Sequence, residues 1–425
     1  MDEYFLQYIW NFQKFNSNEL SLTNGSVMNV FVPGYQNSDS GPDFKEAKIK
    51  IDDLTWSGSV EVHFKSSDWY KHNHQEDRAY ENVILHVVWK HDQEVLINGN
   101  PIPTLELMSY VLENVELAYK HYINQPSTIR CSDQIGEIAE LQIISMIDKA
   151  LSDRLKVKSK AILEMLDQNN GDWEETAYQL LLKNFGFKIN QEAFQTLSKS
   201  LPYSVIKKYK NKPIAIESLL FGMSGFLESP TDEYSNSLLT EFDYLKSKHN
   251  LIPILKKHHW NRSRMRPANF PTVRLAQLSS LLTNKSQLFA QLIELSDHKN
   301  AISFFQNSLS TYWEEHYDFS KPTKKPHPIG ASAIDNLIIN TVVPLIAAYG
   351  KYIDEVRYLD QAQAILEKIK PEKNHIIDKW KDAGVKCSNS YESQALIHQY
   401  NHWCKEKKCL QCNIGISILS PKLAP

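Results

Sequence analysis

Apolar residues recur at helical spacing near the start of the chain, where Phe5, Tyr8, Ile9 and Phe12 share one face, so a helix is expected over residues 4–15. The period then changes. Val27–Val32 is a short β-rich run stopped by Pro33-Gly34, and residues 47–51 and 58–65 read as strands joined through Asp52-Asp53. Residues 68–80 are polar with aromatic punctuation and predict a helix or a long turn. Residues 83–89 are apolar on both faces, as a strand in the middle of a sheet must be, and a hairpin is expected at Asn98-Gly99-Asn100.

From about Ile138 the strand signals almost vanish. Residues 138–166 and 173–185 are long periodic runs, and similar ones follow at 215–227, 271–282, 285–295, 332–349 and 391–405. The pattern predicts an α/β N-terminal domain over residues 1–130, in the order helix, three strands, helix, strand. A large all-α domain over residues 131–425 follows, with no fixed-period repeat.

Composition narrows the function classes. The chain has 425 residues and a formal net charge of -3, so any contact with nucleic acid must come from local patches. Glycine is scarce, at 14 residues, and neither GxGxxG nor a P-loop is present. Met1-Asp2-Glu3-Tyr4 lacks the positive start of a signal peptide. The most apolar run, 337–349, is read as too short to span a bilayer and as interrupted by Asn340 and Pro344. Five cysteines, an odd number, fit a reducing compartment. A cytoplasmic protein without a membrane partner is expected; the oligomeric state is not legible.

The residues suited to chemistry concentrate between Gly41 and His91. Glu61, His63 and Lys65 alternate along one predicted strand and share a face, while Val60, Val62 and Phe64 share the other. Upstream, Gly41-Pro42-Asp43-Phe44 places an acid at the entrance to a strand. Two carboxylates that face one another call for a cation between them, so Asp43 and Glu61 suggest a hard-metal site. The same alternation also describes a solvent-facing edge. For His72 and His74 the plain expectation is a solvated helix start. Lying near the acid face, they would contact a phosphate, and with Asp77 they have the chemistry of a transition-metal site if a loop brings them together. His86, on the buried strand, is expected to be a hydrogen-bonded core residue.

Pro-Asp, a spacer and then Glu-x-(Lys or a substitute), in that element order, resembles the PD-(D/E)XK nuclease superfamily. The resemblance implies a restriction-endonuclease-like mixed sheet and a Mg²⁺ (or Mn²⁺) ion held by Asp43 and Glu61. His63 stands where the superfamily has Lys, so His63 or Lys65 would orient the water, and Glu3 would match an acid some members carry on the first helix. Runs such as Gly41-Pro42-Asp43-Phe44, Glu61-Val62-His63, Ser67-Asp68-Trp69, Asn184-Phe185-Gly186-Phe187 and Cys409-Leu410-Gln411-Cys412 also resemble, end to end, a bacterial family known only as domain of unknown function 2851. That family supplies no activity.

Two further constellations complete the reading. Cys404, Cys409 and Cys412, with Cys387 upstream, could hold Zn²⁺ or an iron–sulfur cluster, or be three reduced thiols in a helix–loop–helix corner. Arg262, Arg264 and Arg266, with Trp260 beside them, could grip phosphates and stack on a base, or form a solvated loop. Together these features predict a metal-dependent nuclease acting on DNA or RNA. The alternative is a non-catalytic module on the same fold that binds nucleic acid or protein.

Overall fold

The computed structural model describes residues 3–37, 40–111 and 113–419. They form two compact units, one of Met1–Ile147, Asp378–Lys386 and Gln399–Pro425, the other of Asp148–Ile377 and Cys387–His398. A mixed N-terminal sheet is followed by many helices. The C-terminal segment carrying Cys404, Cys409 and Cys412 belongs to the sheet-containing unit, whereas the sequence pattern had grouped it with the helices.

The first unit opens on α1 (Glu3–Asn11), whose helical stripe buries Phe5, Leu6, Ile9 and Trp10 completely. Each such side chain contributes roughly 1.5–3 kcal/mol by leaving water. The strands are β1 (Leu20–Ser21), β2 (Val27–Val32), β3 (Tyr35–Gln36), β4 (Phe44–Ile51), β5 (Leu54–Lys65), β6 (Val83–Lys90), the hairpin pair β7 (Leu96–Ile97) and β8 (Asn100–Pro101), and β9 (Thr104–Glu106). The sheet runs β1-β2-β4-β5-β6-β9, with β3 on β4. The β2, β4 and β5 pairings are antiparallel; β6 is parallel to β5, and β9 is parallel to β6. Parallel neighbours need a crossover of about a dozen residues or more. Residues 66–82 supply it between β5 and β6, with α2 (Asp68–Lys71) and two 3₁₀ turns, His74–Glu76 and Arg78–Tyr80.

β5 is therefore an interior strand, not an edge. From Gly58 to His63 every residue is buried. Gly58 is required here: a Cβ would meet Ile84 Cγ2 at 2.5 Å and the Asn82 carbonyl at 2.7 Å, so only glycine lets β5 and β6 close up. A register shift between Phe44 and Ala47, with Glu46 at φ 59°, bends the start of β4. That bend sets the height of Asp43 against β5.

The second unit is helical. Its core includes Tyr178, Phe185, Phe194, Leu219, Phe221, Leu278 and Trp313. Residues Ala331–Tyr352 form one continuous helix of 22 residues, so Asn340 and Pro344 do not break the run as expected. A π-helical turn over Ile338–Val342 precedes Pro344, which sits in the first turn of the following α-helical segment, where a missing N–H costs nothing. By length and composition this helix could cross a membrane, yet 67% of its most apolar window is buried inside the unit, as in a core helix.

Candidate metal centre

Four elements bring ionisable side chains to one place. β5 presents Glu61 and His63, both buried. α1 packs against β5 and carries Glu3 and Gln7. The Gly41-Pro42 turn, with Gly41 at φ 97°, delivers Asp43. The crossover adds His72 and His74.

Asp43 and Glu61 lock each other. The Asp43 N–H donates to Glu61 Oε2 at 3.0 Å, and the Val62 N–H donates to Asp43 Oδ2 at 3.1 Å. Gln7 Nε2 donates to the other Asp43 oxygen at 2.9 Å. The second oxygen of Glu61 faces histidines: Oε1 lies 3.2 Å from His74 Nε2 and 3.5 Å from His63 Nε2. His63 Nε2 is also 3.1 Å from His72 Nδ1 and 3.8 Å from Glu3 Oε1. The ligand atoms of His63, His72 and His74 all lie within 4.8 Å of one another, as they would around one ion.

The backbone explains how His72 and His74 converge. His72 ends α2, Asn73 turns left-handed at φ 59°, and His74 opens the next 3₁₀ turn. Asparagine tolerates that conformation, so the two rings come round onto the same side. Trp69, fully buried, walls the pocket edge-on to His74 and His86, and Tyr80 stacks on His74 at 3.9 Å. Asp77, the third partner considered for a transition metal, instead caps the turn by accepting from the Ala79 N–H.

The acids of the site stand together. Among the described residues, no lysine or arginine stands within ion-pair distance of Glu3, Asp43 or Glu61. Burial raises Glu61 to about 8. Burial and then the neighbouring Glu61 raise Asp43 to about 7; burial, Asp43 and Glu61 raise Glu3 to about 7. Burial pushes His63 down to about 2, helped by His86, His74 and His72, and pushes His86 down to about 3. Burial lowers His74 as well, so His63, His74 and His86 are neutral at pH 7 and able to donate lone pairs. His74 Nε2 is buried and, although 3.2 Å from Glu61 Oε1, makes no well-aligned hydrogen bond, a cost that an ion would remove.

His86 is the hydrogen-bonded core residue expected. Its Nε2 lies 2.9 Å from His63 Nδ1. If His63 turns its Nε2 lone pair to the centre, its Nδ1–H donates to His86, which fixes the ring and raises its basicity. The remaining sequence candidates fall elsewhere. Lys65 is exposed at the end of β5, and its electrostatic partner is Asp92. Arg262 is half-buried and paired with Asp318 at 3.5 Å, whereas Arg264 and Arg266 are exposed. Trp260 does not offer a stacking face: it is buried against Phe194 and Phe226, and its Nε1–H donates to the Ser224 carbonyl at 2.9 Å. Cys387 belongs to the helical unit, so the set first grouped with it is divided between the units.

Fold and site together define an α/β domain with a histidine–carboxylate centre, joined in one chain to a helical unit. The chain belongs to the family described as protein of unknown function (DUF2851), whose model matches residues 3–375. Neither curated proteins nor solved structures yield a match.

Proposed function

We propose that this protein is a metal-dependent phosphodiester hydrolase of the nuclease type, acting on DNA or RNA. The observation that carries the reading is the convergence of Glu61, His63, His72 and His74 on one point with, among the described residues, no lysine or arginine to balance the acids. Imidazole and carboxylate donors together favour Mn²⁺ or another transition ion over Mg²⁺. Glu61, His63, His72 and His74 would hold it, while Asp43 orients Glu61 and His86 orients His63. A divalent ion there supplies Lewis-acid stabilisation to a phosphodiester. Glu3, with 37% of its side chain exposed, is the carboxyl open to solvent and takes the proton-handling role.

The order α1, β2, β4, β5, α2, β6, with β2–β4–β5 antiparallel and β6 parallel to β5, supports the superfamily reading. Nucleic acid as partner is supported by exposed Arg264 and Arg266, the latter lining a groove of about 520 Å³ with Arg274 and Asn269. Five thiols without a disulfide support a cytoplasmic setting.

The test is hydrolysis of labelled single- and double-stranded DNA and RNA by the full chain. Cleavage that requires Mn²⁺ or Mg²⁺ and falls at least 100-fold in Glu61→Ala is expected. Activity that survives Glu61→Ala overturns the assignment. Absence of cleavage on every substrate with either ion leaves the non-catalytic binding module as the better account.

A further inference from the structure

A second constellation lies in the same unit, away from the acids. The turn ahead of the long helix Glu140–Gln168 contributes Cys131, which the sequence spacing did not single out. Cys404 comes from the π-helical turn Tyr400–Cys404, Cys409 from the 3₁₀ turn Cys409–Gln411, and Cys412 from the residue after it. All four line one small cavity with Tyr122 and Arg130. Cys409 and Cys412 are within electrostatic reach of both Cys131 and Cys404. None is in a disulfide.

Burial, and then the neighbouring cysteines, push the Cys131, Cys404 and Cys409 thiols up, so they stay protonated until a metal displaces the protons, while nearby donors oppose that shift. Gln399 Nε2 donates to Cys412 Sγ at 3.3 Å. The Tyr122 hydroxyl stands within hydrogen-bond reach of Cys131 and Cys409, with one proton to give to either, and the Arg130 guanidinium donates to Cys409. Arg130 also holds the Cys404 carbonyl at 3.3 Å, which ties the first cysteine's strand of chain to the C-terminal segment. The loop is tightly made: a Cβ on Gly415 would fall 2.1 Å from the Cys409 carbonyl.

The sequence spacing points to iron and sulfide. Cys404, Cys409 and Cys412 run as C-x4-C-x2-C, the local ligand spacing of plant-type 2Fe–2S proteins, and the fold brings Cys131 to the same cavity as a fourth thiol.

We infer that Cys131, Cys404, Cys409 and Cys412 bind an iron–sulfur cluster. The 409–411 turn packs against α1, so the cluster anchors the helix that carries Glu3 and Gln7. Three of the four ligands lie beyond the residues the family model matches. The inference does not depend on the nuclease reading.

The experiment is anaerobic purification of the full chain, followed by iron, acid-labile sulfide and zinc analysis and a visible spectrum, before and after reconstitution with Fe²⁺ and sulfide. Iron and sulfide in equal amounts, about two to four of each per chain, with charge-transfer absorbance are expected. Cys131→Ala and Cys412→Ala should lose most of that iron, and Cys387→Ala should keep it. A wild-type chain that takes up no sulfide, or that holds one zinc instead, overturns the inference even if the variants fail to fold. Full iron and sulfide in Cys131→Ala overturns it as well.

Discussion

At the scale of single residues, Glu61 and His86 separate two roles. Glu61 offers one oxygen to the backbone of Asp43 and the other to the histidines. Glu61→Gln keeps the shape but removes the charge, and should weaken divalent-ion binding by at least 100-fold in calorimetric titration. His86 touches His63 and not the ion, so His86→Phe should cost about 10–100-fold in metal affinity while leaving one ion per chain. The pH dependence follows from the same groups. Glu61, Asp43 and Glu3 have folded-state pKa values raised to about 8, 7 and 7. Their protonated forms favour the fold, so this contribution is complete below pH 4 and disappears as pH rises through 7–8. His63 and His86, lowered to about 2 and 3, act oppositely: their contribution is complete above pH 6.5 and disappears as pH falls toward 3. Three acids outweigh two histidines above about pH 4.5, so metal-free protein should melt at its highest temperature near pH 4.5 and lose Tm from there to about pH 8, most steeply above pH 6.5. Saturating Mn²⁺ should abolish that loss, because the ion replaces the protons.

At the scale of elements, the centre depends on how closely β5 approaches its neighbours. Gly58→Ala forces a methyl group onto Ile84 and the Asn82 carbonyl, and should cost about 1–3 kcal/mol in urea unfolding. Metal affinity should fall with it, since β5 carries Glu61 and His63. The alternation of Glu61 and His63 along one strand, the buried run of β6 and the hairpin at Asn98-Gly99 were legible in the sequence, because period-two patterning and left-handed turn residues are local signals. The approach of His72 to His74 was not. It depends on Asn73 adopting a left-handed conformation, one that asparagine permits without requiring. Trp260 was misjudged for a related reason: its basic neighbours are exposed, but the indole turns into the helical core.

At the scale of the whole molecule, the sheet-containing unit holds a feature assembled across a long chain separation. Cys131 escaped the spacing argument because its partners lie at the far end of the chain and only tertiary structure joins them. Cys387 was chosen because it is near in sequence, yet it belongs to the other unit. In the helical unit, Arg264 and Arg266 are the exposed cations of the basic loop. Replacing both with alanine should weaken nucleic-acid binding about equally across sequences and reduce the log–log salt slope by about 1.8. Ion content at the histidine–carboxylate centre should not change.

The most direct test of the central claim is equilibrium titration of the metal-free full chain with Mn²⁺. One saturable site per chain is predicted, lost in Glu61→Ala and His74→Ala and retained in Lys65→Ala. A chain that shows no saturable site, or one whose site is unchanged in His74→Ala, contradicts the account.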